Sequence, residues 1–175
     1  LEPFQRLVPP EPGFLEGLRM LASEAGVLLI FDEVVTGFRF AYGGAQAHYG
    51  VTPDICTLGK AIGGGFPLAA IAGPGAIMAH FDKNAVAENG FVMQVGTLSG
   101  NPVAAAAGRK TLEILKRPGT YERIFATGRA LMDGFTEILE GVAIDAHVVG
   151  AEPMFDIVFT DRPVRDYRSA RSNPE

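Results

Sequence analysis

The first third of the chain carries two apolar patterns in succession. After Pro12, apolar residues recur every three or four positions up to Gly26, which predicts an amphipathic helix between these two residues. Its apolar positions are Leu15, Leu18, Leu21, Ala22 and Ala25. Residues 27–31 are continuously apolar, which predicts a strand covered on both faces, as in a parallel sheet. A helix followed by a buried strand indicates an α/β chain.

Short apolar runs separated by glycine and proline continue through the middle of the chain. They predict strands at residues 55–58 and 68–72 and short helices at residues 45–49 and 75–81. Asn101 is a good N-cap and Pro102 a good first helical residue, so we expect a helix from there to about Lys116.

The last third of the chain changes to one long helix followed by two strands. Residues 121–140 carry a broad apolar stripe at helical spacing, which we interpret as core. Residues 143–149 and 154–159 predict two antiparallel strands. The change in pattern predicts a larger α/β domain over residues 1–112 and the start of a smaller α+β domain over residues 113–175.

Composition excludes several classes of function. The formal net charge is −5, and no basic stripe of the kind that binds nucleic acid is present. Cys56 is the single cysteine, which excludes an internal disulfide and is compatible with a cytoplasmic protein. We find neither a signal peptide nor an apolar run long enough to cross a membrane. His48, His80 and His147 lack metal-ligand spacing, so we expect no metal site.

Both ends of the chain look cut. The sequence begins with Leu1 rather than methionine, and it stops at Glu175 just after the pattern indicates the start of another helix. We therefore expect this chain to be a piece of a longer protein.

Lys60 stands between a short apolar run and a group of glycines. Residues 55–58 precede it as a predicted strand, Gly59 turns the chain, and residues 63–65 are all glycine. Glycines allow another backbone or a ligand to come close, and a desolvated lysine amine is a nucleophile toward carbonyls. The alternative is a surface lysine beside a flexible loop.

Asp32 and Glu33 follow the first predicted strand directly. In open α/β sheets, ligands bind beyond the carboxyl ends of the strands, so a carboxylate here can face a site. Side chains alternate along an extended chain, so we expect Glu33 to point to the opposite side. The two are therefore not interpreted as a paired acid and base. The alternative for Asp32 is a helix cap or a loop carboxylate.

The segment of residues 96–102 places hydroxyl and amide groups just ahead of a predicted helix. Such a position suits a phosphate or another anion, although for this segment taken alone a plain helix start is the favoured explanation. Ser99 lacks the frame of a nucleophile elbow. Lys60 is not part of a Walker loop, because Ala61 stands where serine or threonine is needed and the glycines follow the lysine.

Three of these motifs, taken in order, resemble the class III aminotransferases, which are fold-type I enzymes dependent on pyridoxal phosphate. The resemblance implies the latter part of a mostly parallel large domain with flanking helices, followed by the opening of the small domain. It extends over nearly the whole chain. The motifs are Asp32-Glu33-Val34-Val35-Thr36-Gly37-Phe38-Arg39, Thr57-Leu58-Gly59-Lys60 with Gly63-Gly64-Gly65, and Gly96-Thr97-Leu98-Ser99-Gly100-Asn101-Pro102.

The resemblance also implies a role for each matching residue. Lys60 would form a Schiff base with pyridoxal phosphate and shuttle the substrate proton, and Asp32 would pair with the pyridine nitrogen. Val34 would pack against one face of the ring. Thr97 and the backbone of Gly96 would reach the cofactor phosphate from the neighbouring subunit, which requires a homodimer with a shared active site.

Within this class the chain is most similar to the aminomutases, which move an amino group within one small-molecule substrate. The similarity includes Phe38-Arg39 and Tyr42-Gly43-Gly44, whereas Pro153 and Asp156 depart from the aminomutase pattern. A transaminase acting on amines, ω-amino acids or β-amino acids and a keto acid therefore remains an alternative. A different class is also open: a non-catalytic α/β module in which Lys60 and Asp32 form a structural ion pair.

Overall fold

The computed structural model describes residues 7–142, 144–166 and 168–169, which form two compact units. The first unit is Gly13–Lys116, and the second unit consists of the described residues of Leu1–Pro12 and Arg117–Glu175. The boundary lies four residues beyond the predicted domain boundary at residues 112/113. The assignment of these parts to the large and small domains of an enzyme stays a prediction. The further helix expected near Glu175 lies outside the described residues.

The described elements alternate helix and strand in the first unit, as the sequence predicts for an α/β chain. The α-helices are α1 (Phe14–Ala25), α2 (Gly44–Tyr49), α3 (Gly75–Met78), α4 (Pro102–Leu115) and α5 (Thr120–Glu140). The strands are β1 (Ile30–Glu33), β2 (Ile55–Leu58), β3 (Ala70–Ala72), β4 (His147–Ala151) and β5 (Met154–Val158). Short 3₁₀ helices occupy Lys60–Gly63, Ala79–Phe81 and Glu88–Gly90.

The sheet of the first unit has the order β1-β2-β3 and is mixed rather than uniformly parallel. Strands β1 and β2 are parallel, with Asp32 opposite Thr57 in the register. Strand β3 returns antiparallel to β2, with Ile71 opposite Thr57. The antiparallel return is a feature that apolar run lengths do not encode, because both kinds of pairing use the same short apolar strands.

Strand β1 starts three residues later than predicted, and only one of its faces is covered. The backbone N–H of Leu29 donates to Asp54 Oδ2 at 2.7 Å, and the Leu29 carbonyl accepts from the backbone N–H groups of Asp54 and Ile55. These bonds join the preceding segment to one end of β2 instead of extending the ladder. Ile30 is more than half exposed while Phe31 is buried, so the expectation of a strand covered on both faces is wrong for the described residues.

The covered face of the sheet carries the core of this unit. Phe31, Glu33 and Cys56 are buried on that face, and Ala45 of α2 is buried completely. The opposite face carries Asp32 and Thr57. The two faces of this sheet thus differ in how deeply their side chains are buried.

The second unit packs α5 against the antiparallel hairpin of β4 and β5. A Cβ at Gly128 would collide with the backbone carbonyl of Glu152, so α5 lies directly on the hairpin turn. Gly128 is the buried position of α5, whereas Leu131 and Ile138 of the predicted core stripe are exposed. The first strand begins at His147 rather than residue 143, which lies outside the described residues.

Among the described residues, none of the helices has the length and hydropathy needed to cross a bilayer.

Candidate active site

Asp32 and Glu33 occupy opposite faces of β1, as the sequence predicts. Asp32 is exposed, whereas Glu33 is completely buried. The Glu33 carboxylate accepts hydrogen bonds from the backbone N–H groups of Ala45 and Gln46 at 2.6 and 3.2 Å and from Gln46 Nε2 at 3.0 Å. Glu33 thus holds the start of α2, and this contact keeps the alternation of β1 in the register that exposes Asp32.

The Asp32 carboxylate is held by two donors on the same oxygen. The backbone N–H of Val34 donates to Oδ1 at 3.0 Å, and the hydroxyl of Thr57 donates to Oδ1 at 3.1 Å. Both hydrogen bonds that the described residues make to the Asp32 carboxylate end on Oδ1, so Oδ2 is left for a ligand. The sequence interpretation gave Thr57 no role of its own, although its position opposite Asp32 follows from pairing the two predicted strands.

Lys60 stands at the carboxyl end of β2 with a backbone conformation that is rare for its residue type. Its φ angle is 47°, in the left-handed region that lysine seldom enters. Such a conformation costs on the order of 1–3 kcal/mol and persists only where surrounding structure enforces it. Backbone strain of this kind is typical of functional sites, and the Lys60 side chain is exposed.

Val34 brings the end of β1 close to the Lys60 loop. A Cβ at Gly59 would lie 3.2 Å from Val34 Cγ1, so the valine packs onto the backbone just before the lysine. The ends of β1 and β2 therefore meet here, as expected for the carboxyl ends of neighbouring parallel strands.

Of the three glycines after Lys60, Gly64 packs against helix α4. A Cβ at Gly64 would collide with the Thr111 hydroxyl, and a Cβ at Gly108 would lie 2.8 Å from the carbonyl oxygen of Ile62. At Gly64 the predicted close approach of another backbone is confirmed, because an added Cβ would lie 3.4 Å from the carbonyl oxygen of Ala107 in α4. Space remains open around Gly65, where no other atom lies within 4 Å of an added Cβ.

A cavity of about 530 Å³ lies on the Asp32 face of the sheet. Val34 and Thr57 line it on one side, and Ile71 of β3 lines it as well. The remaining wall comes from the segment that leads to α4. From that segment the cavity is lined by Phe81, Phe91, Gln94, Ser99 and Gly100.

Gly96 and Thr97 belong to that segment but do not line the cavity. They lie in an exposed turn that the backbone N–H of Ser99 closes by donating to the Gly96 carbonyl at 2.9 Å. Helix α4 then starts as predicted, with Asn101 Oδ1 accepting from the backbone N–H groups of Val103 and Ala104. The structure therefore brings Asp32, Val34 and Thr57 together near Lys60, but it does not bring Thr97 to this group.

A second, larger cavity of about 630 Å³ lies on the opposite face, where Glu33 and Cys56 line it. Burial raises the pKa of the Cys56 thiol, and the Glu33 carboxylate adds to that effect. Val34 and Thr57 do not line this larger cavity, so size alone does not identify the site. Among the described residues, no cluster of three His, Cys, Asp or Glu side chains is arranged to hold a metal ion.

Comparison with known proteins places this geometry in a known class. An ω-transaminase from Sphaerobacter thermophilus superposes with a TM-score of 0.87 at 37% identity, covering 97% of this chain and 38% of that one. A transaminase solved with PLP bound superposes with a TM-score of 0.77 at 30% identity, covering 86% of this chain and 35% of that one. The fold is thus the α/β fold of transaminases.

The family follows from sequence. Residues 5–166 match the family Aminotransferase class-III, and the chain belongs to this family. A glutamate-1-semialdehyde 2,1-aminomutase from Desulfosudis oleivorans is 52% identical over 169 residues, which make up 95% of this chain and 38% of that protein. The chain therefore spans little more than a third of the length of these relatives.

Proposed function

We propose that the chain carries the lysine side of a pyridoxal-phosphate site, with Lys60 as the residue that holds the cofactor covalently. The observation that carries the proposal is the meeting of three features at the ends of two parallel strands. These are the strained backbone of Lys60, the contact of Val34 with Gly59, and the Asp32 carboxylate held through one oxygen. The resemblance to a transaminase solved with PLP bound supports the same assignment.

The residues present suit the chemistry of this cofactor. Pyridoxal phosphate, when bound, supplies an electron sink for the electron pair left when a proton departs from the carbon that bears the amino group. A carboxylate beside the ring nitrogen keeps that nitrogen protonated, and Asp32 has Oδ2 left for this contact. Val34 supplies an apolar surface for one face of the ring.

Lys60 has a second task in this proposal. Its amine removes a proton from the substrate carbon that bears the amino group. The same amine then delivers this proton to a second carbon, the one that carries the proton in the product. A lysine is suited to both tasks because a single amine can act first as nucleophile and then as base and acid. The open space around Gly65 leaves the loop room for a bound substrate.

The family to which the chain belongs does not favour the non-catalytic alternative, in which Lys60 and Asp32 form a structural ion pair. The relatives named above are an aminomutase and transaminases, which are enzymes. The described side-chain hydrogen bonds of the Asp32 carboxylate come from Val34 and Thr57.

The segment before α4 is the part of the chain for which we propose a contact with a second subunit. Val92, Met93, Val95 and Leu98 are 52–73% exposed, an unusual run of apolar side chains for a free surface. We assign this segment to the contact with a second copy of the chain, so that the Gly96 backbone and the Thr97 hydroxyl reach the cofactor phosphate of the neighbouring subunit.

Subunit complementation tests this arrangement in the full-length protein as its gene encodes it. Lys60→Ala and Thr97→Ala are each defective alone, but mixed dimers contain one intact site. Unfolding and refolding the two variants together should restore about a quarter of wild-type activity, since half of the dimers are mixed and each has one good site of two. Activity no higher than that of the separate variants would rule out sharing of the site.

For the reaction, we propose the transfer of an amino group between two carbons of one substrate. The 52% identity to a glutamate-1-semialdehyde 2,1-aminomutase supports this choice. The alternative is transfer from an amine or amino acid to a 2-oxo acid, which the similarity to an ω-transaminase supports.

Product analysis separates the two reactions. The full-length protein is given glutamate 1-semialdehyde alone, and the product is followed by NMR. The aminomutase assignment predicts the isomer with its amino group on carbon 1, without any added 2-oxo acid, and loss of this activity in Lys60→Ala. Turnover that appears only when an amine donor and a 2-oxo acid are both supplied would instead establish the transaminase.

A further inference from the structure

Thr57 links the carboxylate of β1 to the strand that ends at Lys60. Its hydroxyl donates to Asp32 Oδ1 at 3.1 Å, and the two residues lie directly opposite each other in the parallel register. The other described donor to Asp32, the backbone N–H of Val34, belongs to the same turn as Asp32 itself. Among the described residues, Thr57 is therefore the side chain that ties Asp32 to β2.

The contact fixes a torsion that is otherwise loosely defined. The terminal torsion of an aspartate has a broad preference, so a carboxylate held by one hydrogen bond can still rotate. Two donors on the same oxygen, one from the turn after β1 and one from β2, restrict this torsion and leave Oδ2 as the acceptor for a ligand. Thr57 and Val34, the two residues that donate to this carboxylate, also line one cavity together.

We propose that Thr57 is a positioning residue, which orients the Asp32 carboxylate so that Oδ2 meets the ring nitrogen of the cofactor. This inference rests on the proposed function. Thr57 acts through Asp32 and does not itself touch the reacting atoms. Its effect is therefore confined to ligands that carry a ring nitrogen for Asp32 to meet.

A purely structural role makes a different prediction. If Thr57 served only to join β1 to β2, its loss would loosen the strand ends. The affinity of the site for every ligand would then fall by the same factor. Two cofactors that differ at the ring nitrogen alone distinguish these roles. They are pyridoxal phosphate and 1-deazapyridoxal phosphate, in which a carbon replaces that nitrogen.

The experiment uses the full-length protein as its gene encodes it, in a Lys60→Ala background so that binding of both probes is reversible. Thr57→Val removes the hydroxyl and keeps the branched shape, whereas Thr57→Ser keeps the hydroxyl. Equilibrium titration, followed by the absorbance of each probe, gives the dissociation constants. Thermal melts establish that each variant is folded.

The positioning role predicts that Thr57→Val raises the dissociation constant of pyridoxal phosphate by roughly three- to tenfold, which corresponds to the loss of one hydrogen bond. The affinity for the deaza analogue stays unchanged, and Thr57→Ser restores the affinity for pyridoxal phosphate. Equal weakening of both probes, or no weakening of either, would overturn the positioning role and leave the proposed function intact. A protein with wild-type Lys60 that does not bind pyridoxal phosphate would overturn both.

Discussion

Gly108 of α4 lies against the carbonyl oxygen of Ile62, which belongs to the 3₁₀ helix that begins at Lys60. A Cβ at position 108 would come within 2.8 Å of that oxygen. The helix and the lysine loop are therefore in direct backbone contact. Since Asn101 caps the same helix, this contact joins two of the three sequence motifs described above.

Gly108→Ala should destabilise the protein because the added methyl group meets backbone that cannot move aside freely. Overpacking of this kind costs about 1–3 kcal/mol, whereas alanine gains roughly 1 kcal/mol over glycine inside a helix. We therefore expect the free energy of unfolding to fall by up to about 2 kcal/mol. Urea denaturation followed by circular dichroism measures the change.

Gly17→Ala is the matched control for this substitution. Gly17 lies inside α1, and an added Cβ there has no neighbour within 4 Å. It should raise the free energy of unfolding by about 0.5–1 kcal/mol through helix propensity alone. If Gly108→Ala were as stabilising as Gly17→Ala, the tight contact with Ile62 would not exist.

Conversion of the neighbouring acids Asp32 and Glu33 to their amides should affect different properties. Glu33→Gln should lower stability, and Asp32→Asn should lower the affinity for the cofactor. Glu33→Gln turns an acceptor into a donor that faces the backbone N–H groups at the start of α2, so it should cost about 1.5–3 kcal/mol of stability. Asp32→Asn lies on an exposed face and should leave stability within about 0.5 kcal/mol of wild type. Chemical denaturation provides both values.

Cofactor titration of the same two variants completes the comparison. Asp32→Asn should weaken the binding of pyridoxal phosphate, and Glu33→Gln should leave it close to wild type at temperatures where the variant is folded. A stable Glu33→Gln with impaired cofactor binding would show that the roles of the two acids are exchanged.

Asp54 should make stability depend on pH in the acid range. The backbone N–H of Leu29 and the guanidinium of Arg19 hold the pKa of the Asp54 carboxyl below its usual value. Since the folded-state pKa is the lower one, the stabilisation is complete above the ordinary aspartate pKa of about 4 and is lost as pH falls through the folded value.

The melting temperatures of wild type and Asp54→Asn, measured from pH 7 to pH 3, test this contribution. The variant should melt at a lower temperature than wild type at neutral pH, and the gap should narrow below about pH 4. Glu24→Gln, which removes one exposed negative charge from α1, controls for the effect on stability of losing a negative charge. A gap for Asp54→Asn that widens in acid would contradict the assigned direction.

The Cys56 thiol should be protected in the folded protein. Burial raises its pKa, so the reactive thiolate is scarce and poorly accessible. Cys56 is the single cysteine of the given sequence, and mass spectrometry of the peptide that contains it follows its labelling separately from that of any other thiol in the full-length protein. At pH 8 we expect labelling at least roughly tenfold slower in buffer than in urea. Equal rates in the two conditions would mean that β2 is not packed against its core face.

Much of the local structure could be predicted because short-range chemistry determines it. Gly26 ends α1 and Asn101 caps α4, each through backbone groups within four residues. The opposite orientations of Asp32 and Glu33 follow from the alternation of a strand. The proximity of Asp32 to the Lys60 strand follows from the convergence of parallel strands at their carboxyl ends.

Long-range partners account for what the sequence did not predict. The start of β1 depends on Asp54, which lies 25 residues from Leu29 and diverts the backbone of that segment. The role of Glu33 depends on the start of α2, and the role of Thr57 depends on a register that only the paired strands reveal. Each of these contacts is a hydrogen bond across the chain, which the apolar pattern does not record.

Reductive trapping tests the central claim most directly. The full-length protein is incubated with pyridoxal phosphate, reduced with borohydride and mapped by mass spectrometry. We expect a pyridoxyl group on Lys60, absent from Lys60→Ala and unchanged in the surface control Lys83→Ala. No label in a protein that melts cooperatively, or label spread evenly over Lys60, Lys83, Lys110 and Lys116, would contradict the assignment of Lys60 as the cofactor lysine.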